Sequence, residues 1–327
     1  MYDDAFLDRL RAGLLPLLPH WDLGARTEVT LLAVSENATF LADDAARGRR
    51  LVLRVHRQGY HGRQEILSEL AWTRALIAEG VVETPRPVPG RDGGLIAEIE
   101  DGAFARFVVA FEFMTGREPP PEKGLVPWFE RLGAVTARLH AHARRWERPA
   151  GFCRKVWDFD SMLGERPLWG DWRRAIGLDA AQKAILERTA GALKARLAAY
   201  GKGRRFGLVH ADLRLANLLV EQDRLGVIDF DDCGFSWFGY DFAAAISFIE
   251  TDPIVPELMA AWLAGYRDVA PLSQEDEAML PVFVMLRRML LTAWLASHSE
   301  TPTAREIGGS YTSGTAELAE AFLSAGA

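Results

Sequence analysis

Two carboxylates and an amide stand close together in the stretch Leu208 to Asp232, LVHADLRLANLLVEQDRLGVIDFDD. Asp212 and Asn217 precede one short apolar run, and Asp229 directly follows a second. The runs Leu218–Val220 and Leu225–Ile228 flank the polar tetrad Glu221–Arg224, which reads as a β-hairpin. Pairing the two runs brings Asp212, Asn217 and Asp229 to one end of a small sheet. Phosphoryl transfer uses that set of groups. One carboxylate orients and deprotonates the attacking hydroxyl, and a few hard oxygen donors hold Mg²⁺, which keeps several of its waters.

The order and spacing resemble a kinase catalytic loop, written H-R-D-L-x-x-x-N with a later D-F-G. Here the loop is His210-Ala-Asp212-Leu-Arg214-Leu-Ala-Asn217, followed 12 residues on by Asp229-Phe230-Asp231-Asp232. The chain resembles the aminoglycoside phosphotransferase and choline kinase-like family, and most of all its homoserine-kinase-type members. That resemblance implies an α+β, bilobal protein-kinase-like fold, with a β-rich N-lobe over residues 1–114 and a mainly helical C-lobe over 115–327. It implies ATP and Mg²⁺ as cofactors. It makes Asp212 the catalytic base, Asn217 and Asp229 the metal ligands, and His210 and Asp241 structural braces of the loop. Arg214 stands where such kinases keep a side chain for the transferring phosphoryl group.

The elements that must position these groups are legible upstream. Residues 5–18 alternate apolar and charged in a helical sense. VTLLAVS, ATFLAD and RLVLRVH read as an antiparallel meander. Ser35, Asn37 and Thr39 lie in and beside the first hairpin turn, which in kinases covers the ATP phosphates. The turn has no glycine, so hydroxyl and amide groups would serve in place of bare backbone. Arg54 sits where the family resemblance puts the phosphate-binding strand lysine, and a guanidinium keeps the charge and offers a fork to phosphate. Ile66, Leu70, Thr73 and Ile77 give the next segment one helical stripe, and Glu69 on its border is the natural partner of Arg54, with Glu65 as rival. FVVAFEF (107–113) is an apolar strand, and the resemblance places adenine contacts near Glu112 and Met114.

After Pro119–Pro121 the pattern is helical, with segments expected at 180–200, 256–267, 273–298 and 315–324. Residues 145–175 carry Trp157, Trp169 and Trp172 among Asp158, Asp160, Glu165 and Asp171. Aromatic faces beside carboxylates suit an amine, though lobe packing explains the tryptophans as well. Asp231 and Asp232, where a glycine would follow D-F, either bind an amine or face water. Trp157, Asp158, Asp231 and Asp232 are the candidate acceptor-binding residues.

Composition narrows the class further. The 327 residues are 49% hydrophobic, enough for a large core, and the net charge of −7 disfavours nucleic acid. Two cysteines form no disulfide framework. The acidic start MYDDAFLDRL lacks the basic region of a signal peptide, and the apolar stretch near the C-terminus is broken by Arg287 and Arg288. A cytoplasmic protein without a membrane partner is expected. The leading function is an ATP-dependent phosphotransferase acting on the hydroxyl of a small amino alcohol, amino acid or amino sugar. The alternatives are a Ser/Thr protein kinase of the bacterial stress-response type and a non-catalytic nucleotide-binding protein. Only 11 residues, Phe230 to Tyr240, separate Asp229 from Asp241, too few for the activation segment on which protein kinases dock a peptide.

Overall fold

Period-two alternation builds the sheet. The computed structural model describes residues 4–34, 37–102, 104–120, 124–299 and 301–326. Its chain opens with α1 (Asp4–Leu14) and a 3-10 helix, Leu15–Trp21. Strands β1 (Glu28–Val34), β2 (Ala38–Asp44) and β3 (Arg49–Val55) then form an antiparallel meander. After α2 (Arg63–Ala78) come β4 (Pro87–Val88), β5 (Ala97–Asp101) and β6 (Phe104–Glu112), giving the order β1-β2-β3-β6-β4 with β5 paired to β6.

Along β2, Ala38, Phe40, Ala42 and Asp44 are buried, while Thr39, Leu41 and Asp43 between them are only half so. The buried face packs on Leu10, Leu14, Leu18 and Trp21, so the first two helices cover that side. On the other face, Ile66 and Leu70 of α2 meet Val109 of β6. Arg54 shares this second face, because it pairs with Thr39 on one side and Val109 on the other. The stripe on α2 is wider than its apolar spacing alone implies, since Trp72 and Leu76 are buried with Ile66, Leu70 and Thr73.

The chain divides into two compact units, Met1–Gly116 with Glu147–Arg154, and Arg117–Trp146 with Lys155–Ala327. The short excursion 147–154 is stitched to α2. Gln64 Nε2 donates to the Gly151 carbonyl (2.9 Å), the Cys153 N–H to Ser68 Oγ (3.0 Å), and Arg154 Nη1 to the Glu65 carbonyl (2.9 Å).

The second unit holds α3 (Leu125–Arg145), α4 (Phe159–Leu163), α5 (Ala180–Tyr200), β7 (Phe206–Val209), the hairpin β8 (Leu218–Glu221) and β9 (Arg224–Val227), then β10 (Gly234–Trp237), α6 (Tyr240–Ala245), α7 (Val255–Arg267), α8 (Gln274–Ala278), α9 (Leu280–Ser297) and α10 (Pro302–Ser324). Gly133 of α3 and Gly265 of α7 let two backbones meet. A Cβ on Gly133 would lie 2.0 Å from the Trp262 carbonyl oxygen, and one on Gly265 would lie 1.8 Å from that of Glu130. Strand β10 pairs antiparallel with β7, so the middle of the short link from Asp229 to Asp241 is ordered strand. The stretch Gln274–Ser297 is long and apolar enough to cross a membrane by length and composition, yet 83% of its most apolar window is buried inside the protein.

Candidate active site

The hairpin of β8 and β9 delivers the catalytic-type residues to one end, as the residue pattern requires. Leu218 pairs with Val227 in register, so Asn217, just before β8, lies close to Ile228, just after β9, and the Ile228 N–H donates to the Asn217 carbonyl (2.9 Å). Asp229 follows with φ 61° and ψ 70°, in the left-handed region. Asn217 Nδ2 donates to the carbonyl of Asp212 and to its Oδ2, both at 2.8 Å. The amide oxygen of Asn217 is therefore turned off Asp212, and among the described residues it accepts no hydrogen bond.

His210 ties the loop to the strand after it. Its Nδ1 accepts from the Asp212 N–H (3.3 Å), and its Nε2 lies 3.1 Å from the Ile228 carbonyl. Those partners require a neutral ring with the proton on Nε2. Burial lowers the His210 pKa against the pull of Asp241, Asp212 and Asp229, which agrees with the neutral form. Asp241, at the start of α6, accepts from the Ala211 N–H (2.7 Å) and the His210 N–H (3.2 Å). It also faces His140 Nε2 at 3.0 Å, while Tyr266 OH meets the other ring nitrogen at 3.1 Å. Ala211 has φ 66°, a conformation that costs an L-residue energy unless its surroundings fix it, and Asp241 grips the loop at that residue.

Asp212 itself is held by two arginines. Arg287 Nη2 of α9 donates to Oδ1 at 2.6 Å, and Arg214 Nε donates to Oδ2 at 3.2 Å. Burial raises the pKa of Asp212, but Arg214, then Arg287 and His210, outweigh it, so the carboxyl is held below its ordinary range. Arg214 is raised in turn, chiefly by Asp212 and, after the opposing burial, by Asp229. Its side chain keeps about a third of its exposure, enough to reach a ligand.

In the first unit, Arg54 Nη2 lies 2.7 and 2.6 Å from the two carboxylate oxygens of Glu69, and both residues are buried. Glu65, the rival partner, instead accepts from the Gly62 N–H (2.8 Å) at the start of α2. Thr39, Leu41 and Val52 lie half-exposed on the sheet face of Arg54. The remaining turn residues sit differently. Asn37 Oδ1 accepts from the Arg57 N–H (3.0 Å), which fixes the hairpin locally, and Ser35 lies outside the described residues. The Glu112 N–H donates to the Arg86 carbonyl (2.9 Å) and its side chain is exposed, while Met114 is half-buried.

The candidate acceptor residues are split. Asp231 is buried and Asp232 half-buried, in the 3-10 turn right after Asp229. Trp157 is buried rather than presented as a face. Its Nε1 donates to the Asp232 carbonyl (2.8 Å), and its ring meets Trp169 edge-on. Asp158 caps α4 by accepting from the Ser161 N–H and pairs with Lys202 at 2.8 Å. Sequence reasoning gave no role to Arg287, which bonds Asp212, or to Tyr240, Ser247 and Trp169, which contact Arg287. The available signal was an arginine inside an apolar helix, since a buried charge must be paired.

Comparisons with known proteins identify the family. The family model described as "Phosphotransferase enzyme family" matches residues 28–276. A solved structure described as a microcompartment-associated aminopropanol kinase is 46% identical, with a TM-score of 0.88, covering 95% of this chain and 97% of its own. Amicoumacin kinase of Bacillus subtilis is 25% identical over 82% of this chain and 79% of its own length. Homoserine kinase of Brucella canis is 28% identical over 81% and 77%. The chain belongs to the phosphotransferase enzyme family and is an ATP-dependent kinase of a small hydroxyl-bearing molecule.

Proposed function

We propose that the acceptor is a compact amino alcohol, phosphorylated on its hydroxyl at the expense of Mg²⁺·ATP. The observation that carries this is the run of carboxylates Asp229, Asp231 and Asp232 within one turn beside Asp212. Burial raises the pKa of the Tyr240 phenol, and Asp212 and Asp232 add to it against Arg287. A carboxylate of that turn is a natural partner for an ammonium group. Similarity to an aminopropanol kinase supports the same reading.

In this reading Asp212 accepts the hydroxyl proton, and its depressed pKa keeps it ionised and ready to do so at neutral pH. Arg214 moves from Asp212 to the transferring phosphoryl group. Arg54, aimed by Glu69, meets the α/β-phosphates, and the half-exposed apolar side chains Leu41 and Val52 take the adenine. Asn217 and Asp229 fit Mg²⁺. Both offer hard oxygen, and Asn217 spends its Nδ2 on Asp212, which turns its amide oxygen away from that carboxylate. When bound, the ion neutralises charge on the β- and γ-phosphate oxygens. The two compact units are read as the lobes, with residues 147–154, expected in the C-lobe, grouped with the first.

Mg²⁺ with ATP should raise the melting temperature. A ligand at about 100 times its Kd adds roughly 2.7 kcal/mol to the native state, which is a shift of about 4 °C if the whole chain unfolds as one unit and more if one unit unfolds alone. Asp229→Asn should abolish most of the Mg²⁺-dependent part and keep the response to ATP alone. Equal shifts in the two proteins would remove Asp229 from the metal site.

The acceptor is tested by ATP turnover across amino alcohols, homoserine, choline, aminoglycosides and generic protein substrates. Aminopropanol-like compounds should show the highest kcat/KM, and neither protein substrates nor this chain should be labelled. Phosphorylation of Ser or Thr in protein, with no turnover on the small-molecule panel, would sink the proposal. The fold speaks against that outcome, since strand β10 is paired with β7 and offers no extended platform to a peptide.

A further inference from the structure

Helix α9 carries a guanidinium where its own packing calls for a hydrocarbon. Arg287 is 2% exposed, and its helix neighbours Met285, Leu286, Met289 and Leu290 are all buried. Burying a charge costs several kcal/mol unless it is paired and fully hydrogen-bonded, and an apolar residue of similar volume often does as well or better for stability. Arg287 is nevertheless bonded on every side. Nη2 donates to Asp212 Oδ1 (2.6 Å), Nη1 to the Ala211 carbonyl and to Tyr240 OH (both 3.2 Å), and Nε to Ser247 Oγ (3.1 Å). Its Cζ lies 5.2 Å from the Trp169 ring centroid and 5.8 Å from that of Tyr240.

The carboxylate of Asp212 shows what this arrangement controls. A carboxylate has about four acceptor directions. Arg214 and Asn217 use two on Oδ2, and Arg287 uses one on Oδ1. With Arg214 in place the open direction is the second on Oδ1, beside Arg287, and when Arg214 turns to the phosphoryl group one on Oδ2 opens as well. Arg287 on Oδ1 and Asn217 on Oδ2 together fix the plane of the carboxylate and so the bearing of both directions. The same side chain grips the Ala211 carbonyl, at the residue where the loop is held left-handed.

We propose that Arg287 is a positioning residue for phosphoryl transfer: bonded to Oδ1 of Asp212 and anchored by Tyr240 and Ser247, it sets the direction from which the acceptor hydroxyl is received. The inference rests on Asp212 being the base.

The test is a split between kcat and KM. Misplacing a reacting group by about 1 Å can cost about 10²-fold, so Arg287→Met should lower kcat for the acceptor by about that factor. KM for ATP should stay within about threefold, because no phosphate-binding group is touched. Arg287→Lys restores one charged donor to Oδ1 and should recover at least about tenfold of the loss, on the scale of one charge-assisted hydrogen bond. A folded Arg287→Met enzyme with wild-type kcat, or one in which lysine gives no rescue, overturns the inference. If Arg287→Met cannot be isolated folded, Tyr240→Phe decides. It deletes one oxygen that anchors Nη1 and should lower kcat by about three- to tenfold at constant KM for ATP. A wild-type kcat there overturns the proposal. Asp212→Asn run in parallel separates the two readings. If it retains turnover, both fall. If it is inactive while Arg287→Met runs at the wild-type rate, only the positioning role falls.

Discussion

Asp212→Asn should slow phosphorylation of the acceptor by about 10²–10⁴-fold, the usual contribution of a positioned general base, while ATP still raises the melting temperature. Asparagine is the informative substitution here. Its Oδ1 can still accept from Arg287, which lies 2.6 Å from Asp212 Oδ1. Alanine would leave the buried Arg287 guanidinium with neither a counter-charge nor an acceptor, a loss in the range of about 3–5 kcal/mol, whereas asparagine keeps the acceptor. Steady-state turnover with a saturating acceptor, alongside the thermal shift, separates chemistry from folding. Turnover of Asp212→Asn within a few-fold of wild type would end the assignment of Asp212 as base.

The largest stability effect should come one residue further along α9. Arg288 is buried and donates from Nη1 to Glu250 (2.7 Å), from Nε to Thr315 Oγ1 (2.8 Å) and from Nη2 to the Tyr311 carbonyl (3.0 Å). Its Cζ lies 3.4 Å from the centroid of the Tyr311 ring, and Tyr311 OH donates to the second oxygen of Glu250 (2.7 Å). Removing one partner from such a pair strands the other charge, which costs about 3–5 kcal/mol. Arg288→Met should lower stability by that amount in chemical denaturation. Arg288→Met combined with Glu250→Leu should recover part of the loss, because neither charge is stranded, although the Tyr311 hydroxyl loses its acceptor. A loss below about 1 kcal/mol for Arg288→Met, the range of exposed ion pairs, would mean that water reaches Glu250.

How much of this was legible depends on sequence distance. The stretch from His210 to Asp229 was readable because one hairpin brings its ends together, and local pairing carries little ambiguity. Arg54 and Glu69 were readable for a similar reason, with a strand and the next helix 15 residues apart. Glu65 lost its candidacy to a local demand, the Gly62 N–H at the helix start. Arg287 lies 75 residues from Asp212 and presents itself only as a break in an apolar run. Periodicity says that such a residue is odd and says nothing about its partner. The β7–β10 pair was missed because its strands are four residues long and the intervening chain holds a second hairpin. The tryptophans of 157–172 read equally as an amine cage or as packing, and their burial favours packing. Asn37 commits its oxygen to the Arg57 N–H across the hairpin, a partner that neither residue type nor turn position reveals.

The excursion of residues 147–154 bears on modularity. A fragment ending at Gly116 would carry α2 without the Gly151, Cys153 and Arg154 groups bonded to it, although all of its strands would be present. The first unit is therefore not a cassette that recombination can lift out with one cut. A chimera that took its nucleotide-handling sheet from one relative and its acceptor pocket from another would have to exchange two separate pieces of gene together, and a ribosome must pass residue 154 before that unit has all of its parts.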